Sequence, residues 1–332
     1  MPSTQSAAVG RIYRTWLAGP GEDEPVRDQD QWDVLTAEPR GVDYLEEDAG
    51  GVPALWAVPK GIGEPAETAR AAEPAPAADA VRPTEAALAA EGAQDAEAGP
   101  HRVLLCLHGG GFVSGSVFSH RKMFAHLAKA AGVRALSVDY TLLPAGGAYP
   151  LPVEQTLAAY EWLLGRGVPA RHIAFAGDSA GGALALTAQL HARERGLPLP
   201  AATVLMSAWV DMAGEGASMA ANEESDALFN RPWVAGMAAG YLAGTDPRAP
   251  LANALFADLS GFGPLYAQVG DQEMLLDDSR RLVAVAEKAG VPARLDVFAG
   301  MQHSFQMMAG RAPEADEAIA RLAHWLRPHL GL

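Results

Sequence analysis

The sequence predicts an α/β protein: a mostly parallel, doubly wound sheet with helices on both faces and a small helical lid. Three observations carry this prediction. After Pro100, short apolar runs alternate with helix-length segments, the pattern of parallel strands joined by crossover helices. The string Gly177-Asp178-Ser179-Ala180-Gly181-Gly182 stands between an apolar run, Ile173–Ala176, and a helix-forming run, Ala180–Arg195. A second string, His108-Gly109-Gly110-Gly111-Phe112, follows the apolar run Val103–Leu107.

Residues 9–18 read as a short amphipathic helix with Ile12, Tyr13, Trp16 and Leu17 on its apolar side. Residues 42–47 and 52–58 read as a strand pair turned by Gly50-Gly51. Residues 61–100 break the pattern, with 15 alanines, 5 prolines, 8 acidic residues and no aromatics. Such a segment buries too little apolar surface to offset its ordering entropy and is expected to be a flexible surface insertion, with room for a helical piece at 84–91. Beyond it, strands are expected at 102–107, 133–138, 172–176, 202–207, 264–269 and 293–298. Helices are expected at 119–131, 152–165, 180–195, 274–289 and 313–328. About fifty-five residues between the strands at 202–207 and 264–269 interrupt the alternation and include an apparent helix, Pro232–Leu242. The expected organisation is N-terminal cap helices in 1–40, a first core part in 41–210, a cap insertion in 211–250 and a second core part in 251–332.

At 332 residues the chain can bury one large core plus a small cap. A net charge of −15 makes nucleic acid and anionic membrane surfaces poor partners, because both repel it. The single cysteine, Cys106, excludes an intramolecular disulfide and fits a reducing compartment, so a cytoplasmic location is expected. The first ten residues lack a basic region followed by an apolar stretch, so no signal peptide is expected. No apolar run is long enough to suggest a membrane span.

The 177–182 string contains G-x-S-x-G in a strand–turn–helix context. There a tight turn exposes the serine hydroxyl at the top of a sheet and at a helix N-terminus. The glycine run at 109–111 leaves backbone N–H groups free to point at an oxyanion. A serine nucleophile needs a base, and the base an orienting carboxylate. Three histidines follow the helix after Ser179. His324 and His329 lie in or just past the last helix, whereas His303 stands in a loop after the strand ending at Phe298, where a base can reach the elbow.

On these strings the chain resembles the hormone-sensitive-lipase-like family of α/β-hydrolase carboxylesterases, the bacterial branch with HGGGF and GDSAGG. The resemblance extends to Asp139-Tyr140, Ser207-Ala208-Trp209-Val210-Asp211, Asp246-Pro247-Arg248 and Gly300-Met301-Gln302-His303-Ser304-Phe305. It implies that Ser179 and His303 are nucleophile and base, with the N–H groups of Gly110, Gly111 and Ala180 as oxyanion hole. Four carboxylates compete for the role of acid. Laying Glu273-Met274-Leu275-Leu276-Asp277-Asp278 on the family pattern D-P-L-x-D-E puts Glu273 at the catalytic position, thirty residues before His303, with Asp271 as the alternative. Asp277 and Asp278 are then expected to bond loops. His108 is expected to hold the glycine loop. The chain departs from the family's D-Y-R-L-A-P-E at Asp139–Ala145, which suggests a local rebuild.

The expected function is hydrolysis of short- to medium-chain carboxylic esters through an acyl-enzyme, without a cofactor or metal. The same machinery would serve a lactone hydrolase or an N- or O-acetyl hydrolase. A ligand receptor on this scaffold is the alternative of another class, and retention of His303 argues against it. A metal hydrolase would need H-E-x-x-H or clustered ligands, which the sequence lacks. Phe112, Asp178, Trp209, Trp233 and Met237 are the expected pocket walls. The expected partner is a small ester, and a homodimer stays open.

Overall fold

The computed structural model describes residues 2–17, 29–62 and 101–332. Eight strands form one sheet: β1 (Val42–Asp48), β2 (Pro53–Pro59), β3 (Val103–Leu107), β4 (Arg134–Val138), β5 (Ile173–Asp178), β6 (Ala202–Met206), β7 (Leu265–Gly270) and β8 (Ala293–Phe298). Their spatial order is β1-β2-β4-β3-β5-β6-β7-β8. The hairpin β1–β2 is antiparallel and joins β4 antiparallel, while β3 to β8 run parallel. Every residue of β3 to β6 is buried, as expected for strands covered on both faces.

The helices are α1 (Thr4–Leu17), α2 (Val117–Ala131), α3 (Leu151–Gly165), α4 (Ala180–Glu194), α5 (Ser218–Ala221), α6 (Arg231–Leu242), α7 (Leu276–Lys288) and α8 (Pro313–His329). α2 packs on α8 and α3 on α4, giving the helical layers over the sheet. Local chemistry sets several ends. Ser116 and Ser119 form a capping box at the start of α2, and Gly132 ends it in a left-handed conformation. Asn230 caps α6 by accepting from the Trp233 N–H, with Pro232 in the first turn.

The expected strands and helices from 101 onward are found, most ends moving by one or two residues. α1 starts at Thr4 instead of residue 9. The expected insertion at 61–100, apart from Gly61 and Ile62, lies outside the described residues, as does the helical piece at 84–91. The strand order reverses beside β3: its crossover leads to β4 on one side, whereas the crossover from β5 leads to β6 on the other. The loops after β3 and β5 therefore diverge and leave a crevice at the carboxyl ends of the strands.

Candidate active site

Ser179 stands in that crevice, directly after β5 and before α4. Its backbone angles, φ 51° and ψ −119°, lie in a sparsely populated region that costs on the order of 1–3 kcal/mol. Close packing maintains the turn. A Cβ on Gly177 would meet the Gly181 carbonyl, one on Gly181 the Leu107 and His108 carbonyls, and one on Gly182 the Ala208 side chain. The Ser179 N–H donates to the Met206 carbonyl at 2.9 Å, and its carbonyl accepts from the Trp209 N–H at 2.9 Å.

The glycine loop follows β3, the strand beside β5. Gly110 and Gly111 have φ of 113° and 63°, conformations that a side chain would strain. The Gly110 carbonyl accepts from the N–H groups of Val113 and Ser114, closing the loop on itself. Met237 of α6 packs directly on Gly111, leaving no room there for a Cβ. His108 stacks on Tyr140 with ring centroids 4.3 Å apart, its Nδ1 lies 2.7 Å from the Gly109 carbonyl, and the Tyr140 hydroxyl donates to the His108 carbonyl. His108 thus supports the loop, as expected. Ala180 opens α4, where the first N–H groups have no partner within the helix and the helix dipole favours negative charge.

His303 follows β8 and is buried. Its Nδ1 lies 2.8 Å from Oε2 of Glu273, which is fully buried after β7. The other oxygen of Glu273 accepts from the Gly270 N–H at 2.6 Å and the Ser207 hydroxyl at 2.8 Å. Ser207 also accepts from the Ser304 N–H at 2.9 Å, so one hydroxyl joins the loops after β6, β7 and β8. Asp271 is engaged elsewhere: its Oδ1 accepts from the Gly300 N–H at 2.6 Å and from the Gln272 amide. Asp277 accepts from the Ser218 N–H, and Asp278 from those of Val210 and Asp211, the loop-bonding roles expected for the pair.

Burial pushes the Glu273 carboxyl above its ordinary value, against the hydrogen bonds from His303, Gly270 and Ser207. Burial pulls the His303 imidazole down. The hydrogen bond and charge of Glu273, followed by the charges of Asp178 and Asp226, outweigh that and leave it raised.

Of the expected pocket residues, Phe112 is buried and stacks on Tyr241 of α6 at 3.7 Å, with Trp209 at 6.0 Å. Trp233 is 40% exposed and packs on Phe229, whose ring meets that of His303 at 4.7 Å. Asp178, next to Ser179 in the chain, is buried and accepts from the Ser304 hydroxyl at 2.6 Å, with His120 Nε2 at 3.4 Å. A cleft of about 810 Å³ lies along α6, lined by Met212, Met219, Val234, Ala238 and Leu242 among others, with neither Ser179 nor His303 in its wall. The sequence assigned no role at the site to Tyr13, Asn222, Asp226 or Ser304. The strings quoted for the resemblance contained Ser207 and Ser304, but their hydrogen bonds depend on loops from three strands.

A family model described as the α/β-hydrolase fold matches residues 104–307. An acetyl-hydrolase from Streptomyces hygroscopicus is 42% identical over 230 residues, covering 69% of this chain and 77% of that protein. The structure of an esterase from the bacterial hormone-sensitive lipase family superposes with a TM-score of 0.82 at 37% identity, covering 100% of both chains. The chain belongs to the bacterial hormone-sensitive lipase family of α/β-hydrolases. An esterase from Acinetobacter venetianus, 34% identical over 233 residues, covers 69% of this family member and is itself covered over 76%. No helix among the described residues is long and apolar enough to cross a membrane.

Proposed function

We propose that the protein is a serine carboxylesterase in which Ser179 is the nucleophile, His303 the general base and Glu273 the orienting acid. The observation that carries this reading is the 2.8 Å contact between Glu273 and His303 Nδ1 inside a buried site, beside a strained serine at a helix N-terminus. Glu273 holds the proton on Nδ1 and leaves Nε2 to take the Ser179 proton. The serine oxygen adds to the ester carbonyl. The N–H groups of Gly110, Gly111 and Ala180 receive the oxyanion, such donors contributing about 3–4 kcal/mol each. His303 returns its proton to the departing alcohol, leaving an acyl-enzyme. Water then loses a proton to His303 and attacks the acyl carbonyl, Ser179 recovers the proton, and the carboxylic acid departs.

The N-terminal helix and the 211–250 segment serve as the cap in this reading. Phe112, Trp209, Trp233 and Met237 bound the acyl and alcohol sides, and such compact apolar walls favour acyl groups of about eight carbons or fewer. The acetyl-hydrolase relative supports the short end of this range. The test is a panel of p-nitrophenyl acetate, butyrate, octanoate and laurate with a lactone and an acetamide, run on wild type and Ser179→Ala. Ser179→Ala should lower kcat/KM on butyrate by at least about 10⁴-fold while the circular dichroism spectrum is unchanged. A folded variant within about tenfold of wild type overturns the mechanism. Equal rates on laurate and butyrate overturn the size assignment.

A further inference from the structure

Between α5 and α6 the chain runs from Asn222 to Phe229 over the turn that carries Glu273 and the loop that carries His303. Its side chains fasten it to both. Asn222 donates to the carbonyls of Asp271 and Glu273 at 3.0 and 2.8 Å. Gln302, next to His303, accepts from the Ala227 N–H at 2.8 Å and donates to the Ser225 carbonyl at 2.9 Å. Asp226 is the centre of the strap. One oxygen accepts from the N–H groups of Leu228 and Phe229 at 2.8 and 3.0 Å, and the other from the Met274 N–H at 2.7 Å.

Asp226 is buried, and among the described residues it forms no ion pair. A buried carboxylate held only by backbone N–H groups is costly to maintain. Its geometry gives it two tasks. It sets the backbone at Phe229, whose ring meets the His303 ring at an interplanar angle of 69°. It also grips the residue immediately after Glu273. We propose that Asp226 is a positioning residue of the hydrolase, tying the strap that carries Phe229 to the turn that carries Glu273 and so fixing the His303 ring between an aromatic edge and its acid partner. The proposal rests on the reading of Ser179, His303 and Glu273 as the reacting groups.

The groups facing His303 are Glu273 from the β7 turn, Asp178 from the end of β5, Asp226 and Phe229 from the strap, and the Tyr13 hydroxyl of α1, which donates to the His303 carbonyl at 3.0 Å. Asp226→Asn keeps one acceptor and turns the other into a donor facing a donor. It also removes a negative charge that favours the imidazolium. With that charge gone, His303 loses its proton more readily, and the neutral base survives to lower pH.

The experiment measures kcat and KM on p-nitrophenyl butyrate from pH 5 to 9 for wild type, Asp226→Asn and Phe229→Leu, with stability by circular dichroism. Asp226→Asn should lower kcat by about 10- to 100-fold, since small misplacement of a reacting group is costly, with KM within about threefold. The acid limb of kcat/KM should move down by about half a pH unit or more. A kcat within about twofold of wild type, or a kcat loss with an unmoved acid limb, overturns the proposal. Should Asp226→Asn fail to fold, Phe229→Leu decides: a kcat loss of about fivefold or more supports the aromatic edge as the strap's point of action, and an unchanged kcat overturns it. Failure of the underlying mechanism is read separately. A fluorophosphonate should label wild type at Ser179, and absence of that adduct would remove the mechanism itself, whatever the Asp226 variants do.

Discussion

On the β3–β5 side of the crevice, Ser179 and the glycine loop are placed by backbone packing. On the β7–β8 side, Glu273 and His303 are placed by side-chain hydrogen bonds. The first side depends on missing side chains at Gly177, Gly181 and Gly182, on a strained φ at Ser179 and on adjacent parallel strands. The second depends on Ser207, Asn222, Asp226 and Gln302, each bridging segments far apart in sequence. A close-packed backbone has one arrangement or none. A hydrogen-bonded network can lose a member and settle nearby, at a cost in alignment. Substitutions at the close-packed glycines of the first side should therefore act on folding, and those on the second side on turnover.

The largest effect is expected at Gly181. A valine there would put its Cβ into the carbonyls of Leu107 and His108, both backbone atoms of β3 and its loop. Gly181→Val should cost more than about 4 kcal/mol and fail to accumulate as folded protein, checked by soluble yield and circular dichroism. A folded variant melting within about 5 °C of wild type would break the contrast between the two sides. Next is the acid. Glu273→Gln should leave the protein folded and reduce kcat by roughly 10²–10⁴, because the imidazole loses the charge that fixes its tautomer. Asp271→Asn, altering only the contacts to Gly300 and Gln272, should cost less than about tenfold. The reverse ranking would move the acid to Asp271.

The same contrast explains what the sequence disclosed. Glycines forced by close approach leave a local signature, so the turn at 177–182 and the loop at 109–111 could be read from short strings. Strands β3 to β7 were legible because burial on both faces makes them largely continuous apolar runs. Glu273 could be placed opposite His303 only by spacing and resemblance, because nothing local distinguishes it from Asp271. The bonds of Asp226 to the Met274 N–H and of Asn222 to the Asp271 carbonyl left no trace, since those partners are backbone groups about fifty residues away. The bond from the Ser304 hydroxyl to Asp178 left no trace either, since the two residues are 126 positions apart. The start of α1 was missed for a related reason. Residues 4–8 have no apolar period, and contacts from the far end of the chain hold them.

Those contacts give the smallest effect. Glu314, in the first turn of α8, accepts from the Ser3 N–H at 2.6 Å and from the hydroxyls of Ser3 and Ser6 at 2.7 Å each. Burial works against the carboxylate, but these bonds outweigh it and draw its pKa down to about 2. They hold the start of α1, whose Tyr13 reaches the His303 carbonyl. Glu314→Gln keeps an acceptor and removes the charge, so the loss should be about 1 kcal/mol, or 2–4 °C in Tm for a large domain. A group with a depressed folded-state pKa contributes its full stability above its unfolded value near 4.5, and that contribution fades as pH falls toward about 2. The Tm gap between wild type and Glu314→Gln should thus be widest at pH 7 and narrower at about pH 3.5. Because the tether touches none of the reacting groups, kcat should change less than about twofold. A gap that stays constant with pH would assign the stability difference to the shape of the side chain instead of its charge. A kcat loss as large as that of Asp226→Asn would mean that the helix, and not the strap, sets the position of the base.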